Sequence, residues 1–103
     1  DDVCPDTRAN MQALGLAFDV VLCRVAGVSD KNPRFHAVAN GTAAPGVLPA
    51  LAVLLWVGDN IQDFPSLTQA VREQGDAAWA PFGNSYIVLP NPMYGSWEAN
   101  APR

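Results

Sequence analysis

The feature that most limits what this chain can fold into is a continuous apolar run, Ala50 to Val57 (ALAVLLWV), which empties without a spacer into Gly58-Asp59-Asn60. A run of strand length with no polar alternation suits a β-strand covered on both faces, and such strands belong to parallel sheets. It would bury Trp56 in the core and leave an acidic and an amide side chain at its C-terminal end. Phe18 to Val25 (FDVVLCRV) has the same character, and Tyr86 to Leu89 (YIVL) reads as a third strand, stopped by Pro90 and Pro92.

Helix signals fall between these runs. Pro5-Asp6-Thr7 opens a helix expected over Thr7 to Leu14, with Gly15 as its stop. Asn32-Pro33 opens a second, with Phe35 and Val38 on its covered side and an end before Gly41; Pro65 opens a third, with Leu67, Ala70 and Val71 on one face. Gly41 to Pro49 has the punctuation of a loop, and Gly75 to Gly83 reads as irregular. Strands alternating with helices predict an α/β layered fold with parallel strands. At 103 residues the chain is expected to form one small domain over 1–103, too short for two independent cores.

Charge narrows the function classes. Six basic residues stand against ten acidic ones, a net of -4, and no stripe of Lys or Arg tracks a phosphate backbone, so nucleic acid is not an expected partner. No apolar run reaches the roughly 20 residues needed to span a bilayer, so no transmembrane segment is expected. The acidic start, Asp1 to Asp6, lacks the basic and apolar parts of a secretory signal. Cys4 and Cys23 can pair in an oxidising compartment, but a single pair favours structural thiols. The only histidine, His36, sits on the second helix and reads as a packing or surface side chain. Asn40-Gly41-Thr42 matches a glycosylation acceptor in a loop, a triplet that chance often supplies.

The chemistry concentrates in Gly58-Asp59-Asn60-Ile61-Gln62-Asp63-Phe64. Ligands of open α/β sheets bind at the carboxyl ends of strands. With Gly58 allowing a sharp turn, Asp59 and Asp63 can present two carboxylates there, hard oxygen donors of the kind Mg²⁺ takes alongside phosphate and water. Asp at a strand-to-helix turn is equally a routine helix cap.

GDNIQDF followed by YIVLPNPMYGSWE resembles the class C acid phosphatases of the haloacid dehalogenase superfamily, as do Thr7 to Gly15 (TRANMQALG) and Lys31-Asn32-Pro33-Arg34-Phe35 upstream. The resemblance implies a partial haloacid-dehalogenase-like Rossmannoid fold and a Mg²⁺-dependent acid phosphatase acting on phosphomonoesters, nucleotides among them. It makes Asp59 a Mg²⁺ ligand, Asp63 a support of the metal and its water shell, and Lys31 the lysine that offsets phosphoryl charge. Asn60 and Tyr94 join Lys31 in holding the substrate, Tyr94 by stacking on a base. Trp97 reads instead as packing its own loop. The family's surface or periplasmic location would carry over.

The superfamily's attacking aspartate comes from a D-x-D-x-T or D-x-D-x-V motif, and none occurs in this sequence. The chain is therefore expected to correspond to the C-terminal half of such an enzyme, inactive by itself, lacking the first-motif strand, and completed by a missing N-terminal half or a second chain. A non-catalytic remnant that binds metal or phosphate, or serves in assembly, is the alternative.

Overall fold

The computed structural model describes residues 3–100, so Asp1 and Asp2 of the acidic start lie outside the described residues. Two compact units divide the chain, Asp1–Leu51 and Ala52–Arg103.

Both α-helices belong to the first unit. Helix α1 spans Cys4–Ala13, beginning before the expected Thr7 because Pro5, which has no N–H to lose, fits its first turn. Thr7 is already inside, its N–H and its hydroxyl both donating to the Val3 carbonyl at 3.0 Å. Helix α2 spans Asn32–Ala39 with Pro33 in its first turn, as the sequence implies. The two end by one device. Gly15 and Gly41 adopt φ of 67° and 72°. In each case the glycine N–H and the next N–H turn back onto the last helical carbonyls: Gly15 to Gln12 and Leu16 to Met11, Gly41 to Val38 and Thr42 to Ala37. Gly41 has a second reason to lack a side chain, since a Cβ there would lie 2.7 Å from the Ala50 nitrogen.

Phe18 to Val25 forms no strand, which corrects the sequence reading. A strand exists only through a neighbour's ladder, and among the described residues no backbone-to-backbone hydrogen bond reaches 17–23. Side chains hold this segment instead. Cys4 and Cys23 form a disulfide with Cα atoms 5.8 Å apart, correcting the expectation of structural thiols. Arg8 donates to the Val21 carbonyl and Arg34 to the Leu22 carbonyl, each at 3.2 Å.

In the second unit, strand β1 (Trp56–Gly58) pairs in parallel with β2 (Tyr86–Val88), in the register Trp56 to Tyr86, Val57 to Ile87 and Gly58 to Val88. The mixed α/β character and the parallel pairing agree with the sequence; the extent of the strands does not. Of Ala50 to Val57 only the last two residues are in the strand, and the rest is largely exposed, Leu54 to 85%. Trp56, expected in the core, is half-buried. The core lies instead among aromatics. Phe64 is fully buried, its ring 5.0 Å from Tyr86 and 5.3 Å from Phe82 between centroids, and Trp79 continues the cluster 5.3 Å beyond Phe82. Such pairs add about 0.5–1.5 kcal/mol each beyond burial alone.

The helix expected from Pro65 shortens to a 3-10 turn, Gln69–Glu73, because Ser66 adopts a left-handed φ of 58° that no helix continues. The Thr68 hydroxyl caps it, and Val71 is its buried residue. A further 3-10 turn, Asp76–Trp79, lies inside the stretch read as irregular. No helix among the described residues is long and apolar enough to cross a membrane.

Candidate functional site

The two parallel strands deliver the residues that follow them to the same end of the sheet. The ladder runs one bond past β2, the Leu89 N–H donating to the Gly58 carbonyl at 2.8 Å, so Asp59 and Asn91 emerge side by side. Asn91 Nδ2 donates to Asp59 Oδ2 at 2.7 Å, joining residues 32 positions apart. The amide's orientation follows from its other end, because Asn91 Oδ1 accepts the Met93 N–H at 3.0 Å and the Tyr94 N–H at 3.4 Å. Only the NH₂ group is then left for the carboxylate.

Asp63 occupies a different role from Asp59. Its Oδ2 accepts two backbone N–H groups, from Asp59 at 2.9 Å and Asn60 at 3.0 Å, which folds the loop into a tight turn. The reciprocal bond comes from the Asn60 side chain, whose Oδ1 accepts the Gln62 N–H at 3.3 Å as the cap of the 3-10 turn Ile61–Asp63. This geometry also gives Gly58 its reason. Its backbone is not left-handed, but a Cβ there would stand 2.6 Å from Asp63 Oδ2. Gly58 makes room for the carboxylate that shapes the turn.

A line of amides and hydroxyls braces the other side. Asn100 donates to Gln69 Oε1 at 2.8 Å, Gln69 donates to Ser96 Oγ at 2.8 Å, and Ser96 donates to Asn60 Oδ1 at 2.6 Å. The loop carrying Ser96 is pinned by Glu98, which accepts the Gly95 N–H at 2.8 Å, and by Trp97, whose indole lies 2.6 Å from where a Gly95 Cβ would be. Tyr94 stands on the same loop with 66% of its surface exposed.

Of the residues singled out from the sequence, Asp59, Asn60 and Asp63 come together, and Tyr94 lies three residues beyond Asn91, which touches Asp59. Lys31 belongs to the first unit, where its carbonyl accepts the Arg34 and Phe35 N–H groups of α2. Sequence reasoning missed Asn91, Ser96, Gln69 and Asn100. Asn91 was the one with a local signal, an Asn between two prolines that turns its side chain back onto the backbone two residues on.

Among the described residues no group of three or more His, Cys, Asp or Glu is gathered, so Asp59 has the chemistry of a single hard oxygen donor. Its Oδ1 accepts no hydrogen bond among the described residues, while Oδ2 is oriented by Asn91. A Mg²⁺ ion needs only one or two carboxylates when water and phosphate complete its octahedron. Asn60 Oδ1 already accepts two bonds and Asp63 Oδ2 two more, whereas Asp59 Oδ1 accepts none among the described residues. A scan of protein-family models finds no match to this chain, and no solved structure matches it.

Proposed function

We propose that the chain carries the magnesium-binding end of a phosphomonoesterase of the haloacid dehalogenase type, with Asp59 as the metal's carboxylate ligand. The supporting observation is the pairing of Asp59 with Asn91 at the carboxyl end of two parallel strands, which fixes one oxygen and leaves the other open. Asp63 serves this site by gathering the Asp59 and Asn60 N–H groups and setting the angle at which Asp59 leaves β1. Magnesium, when bound, would neutralise phosphate oxygens during transfer. Tyr94 offers a flat face for a substrate's base. The attacking carboxylate is not among the motifs of this sequence, so the chain alone is expected to bind without turning over. The disulfide accords with the periplasmic or secreted setting of the enzymes it resembles.

The test is metal titration with Mn²⁺ as a paramagnetic stand-in for Mg²⁺, read by electron spin resonance. Asp59→Asn should weaken binding by about ten-fold or more, since even the groups that only orient a ligand are worth about 10–100-fold in metal affinity. Inorganic phosphate should tighten Mn²⁺ binding to the wild-type chain, and p-nitrophenyl phosphate should not be hydrolysed. Equal Mn²⁺ affinity in wild type and Asp59→Asn would overturn the reading. That result would favour a second one, in which Asn60 and Asp63 are only the reciprocal cap of a turn in an unrelated α/β binding domain.

A further inference from the structure

We infer that Ser96 is a positioning residue: with Gln69 and Asn100 behind it, it turns the Asn60 side-chain amide so that the N–H groups of Asn60 Nδ2 are presented to an oxygen of a bound phosphoryl group, a role that rests on the reading of Asp59 as the metal's ligand. One backbone group sets the direction of every bond in the brace. The Gln62 N–H can only donate, and it does so to Asn60 Oδ1 at 3.3 Å, so the amide oxygen faces the turn and Nδ2 faces away from it. The same oxygen lies 2.6 Å from Ser96 Oγ, and the hydroxyl must direct its proton there. Ser96 Oγ is then the acceptor for Gln69 Nε2 at 2.8 Å, which turns Gln69 Oε1 toward Asn100 Nδ2, also 2.8 Å away. Reversing any one of these amides would set donor against donor or acceptor against acceptor.

At the far end this polarity is unanswered. Asn60 is half-buried, yet its Nδ2 donates to nothing among the described residues, while its oxygen is held from two sides. A donor fixed in this way needs no reorganisation when an acceptor arrives, which is how hydrogen-bond donors stabilise charge most effectively. The next residue in the chain, Asp59, has an oxygen that likewise accepts no bond among the described residues and is the one available to a divalent cation. Asp59 and Asp63 repel an anion until that cation is bound. A phosphoryl group suits the pair because its several oxygens can serve the metal and the amide together, whereas a neutral carbonyl offers one oxygen to one of them.

Titration of the whole chain with inorganic phosphate at saturating Mg²⁺, followed in nitrogen–proton correlation spectra, tests this without any variant: the Asn60 side-chain NH₂ pair should shift as phosphate binds. Ser96→Ala should weaken phosphate binding by about ten-fold, the scale of one hydrogen bond to a charged group. Its Mn²⁺ affinity should stay at the wild-type value, because Asn91 still orients Asp59. Ser96→Thr keeps the hydroxyl and should restore phosphate affinity. An Asn60 NH₂ pair that phosphate leaves unmoved, or equal phosphate affinity in wild type and Ser96→Ala, overturns the inference while Asp59 remains the metal ligand. Metal and phosphate affinity lost together in Ser96→Ala, and not restored by threonine, would show that Ser96 only holds its loop, and overturns it as well. Equal Mn²⁺ affinity in wild type and Asp59→Asn removes the metal reading and this inference with it.

Discussion

The first unit has both α-helices and little core; the second has one aromatic core and little regular structure. In Asp1–Leu51 the buried hydrophobic residue among the described residues is Cys4, and the unit's order comes from helix caps, a disulfide and two arginines bonded to carbonyls of a strandless segment. In Ala52–Arg103, Phe64 and Val71 are buried and a short parallel ladder carries the site. A local signal such as a cap or a covalent bridge can hold a shape without burial. A polar site braced across more than thirty residues needs a packed base, and the Phe64 cluster begins at the residue that follows the Gly58 to Asp63 turn.

The comparison breaks most sharply at Phe64. Truncation of a fully buried aromatic costs about 3–5 kcal/mol, a large share of the stability of any small domain. Phe64→Ala should therefore unfold the second unit while leaving the helices. The spectroscopic division favours this test, because Trp56, Trp79 and Trp97 all lie in the second unit and both α-helices in the first. Tryptophan emission should shift to the red at low denaturant while the helical dichroism stays. A concerted loss of both signals would show that the units do not differ in the way described.

The disulfide gives the converse experiment, with a somewhat smaller effect. Cys4 and Cys23 are 19 residues apart, and closing a loop of that length in the unfolded chain is worth about 3 kcal/mol. The double variant Cys4→Ser, Cys23→Ser should lower the midpoint of the helical transition and leave tryptophan emission unmoved. Hydrogen exchange should rise over 17–25, where among the described residues side chains supply the remaining ties at 21–23. If exchange there is unchanged, the arginines suffice.

What was legible in the sequence follows the same division between local and distant causes. Gly15, Gly41, Pro5 and Pro33 announce helix boundaries because each acts on its own neighbours, and α2 matches its expected span. Apolar runs announce strands only where a partner exists: Tyr86 to Val88 has one, Phe18 to Val25 has none among the described residues, and Ala50 to Val57 pairs only at its end. The site divides likewise. Asp59, Asn60 and Asp63 sit in one short motif and could be read together. Asn91 and Ser96 reach them across 32 and 36 residues, and no local pattern encodes that pairing.

The smallest expected effect tests whether the first unit's caps act independently of any core. Asp30 Oδ1 accepts the Asn32 N–H at 2.9 Å and the Asn32 side-chain amide at 2.8 Å, just ahead of α2. These hydrogen bonds, the backbone one first, favour the ionised carboxylate and hold its pKa below the ordinary value. A depressed folded-state pKa contributes stability that is fully present above the unfolded value and is lost as pH falls through the folded one. Acidification below the ordinary aspartate range should thus loosen the start of α2, seen as faster exchange of the Arg34 and Phe35 amides relative to the cap at Gly41. Asp30→Asn keeps the acceptor and removes the titration, so its exchange ratio should stay flat over the same range. A ratio that rises equally in both proteins would assign the acid sensitivity to another group and leave the Asp30 turn without a part in holding α2.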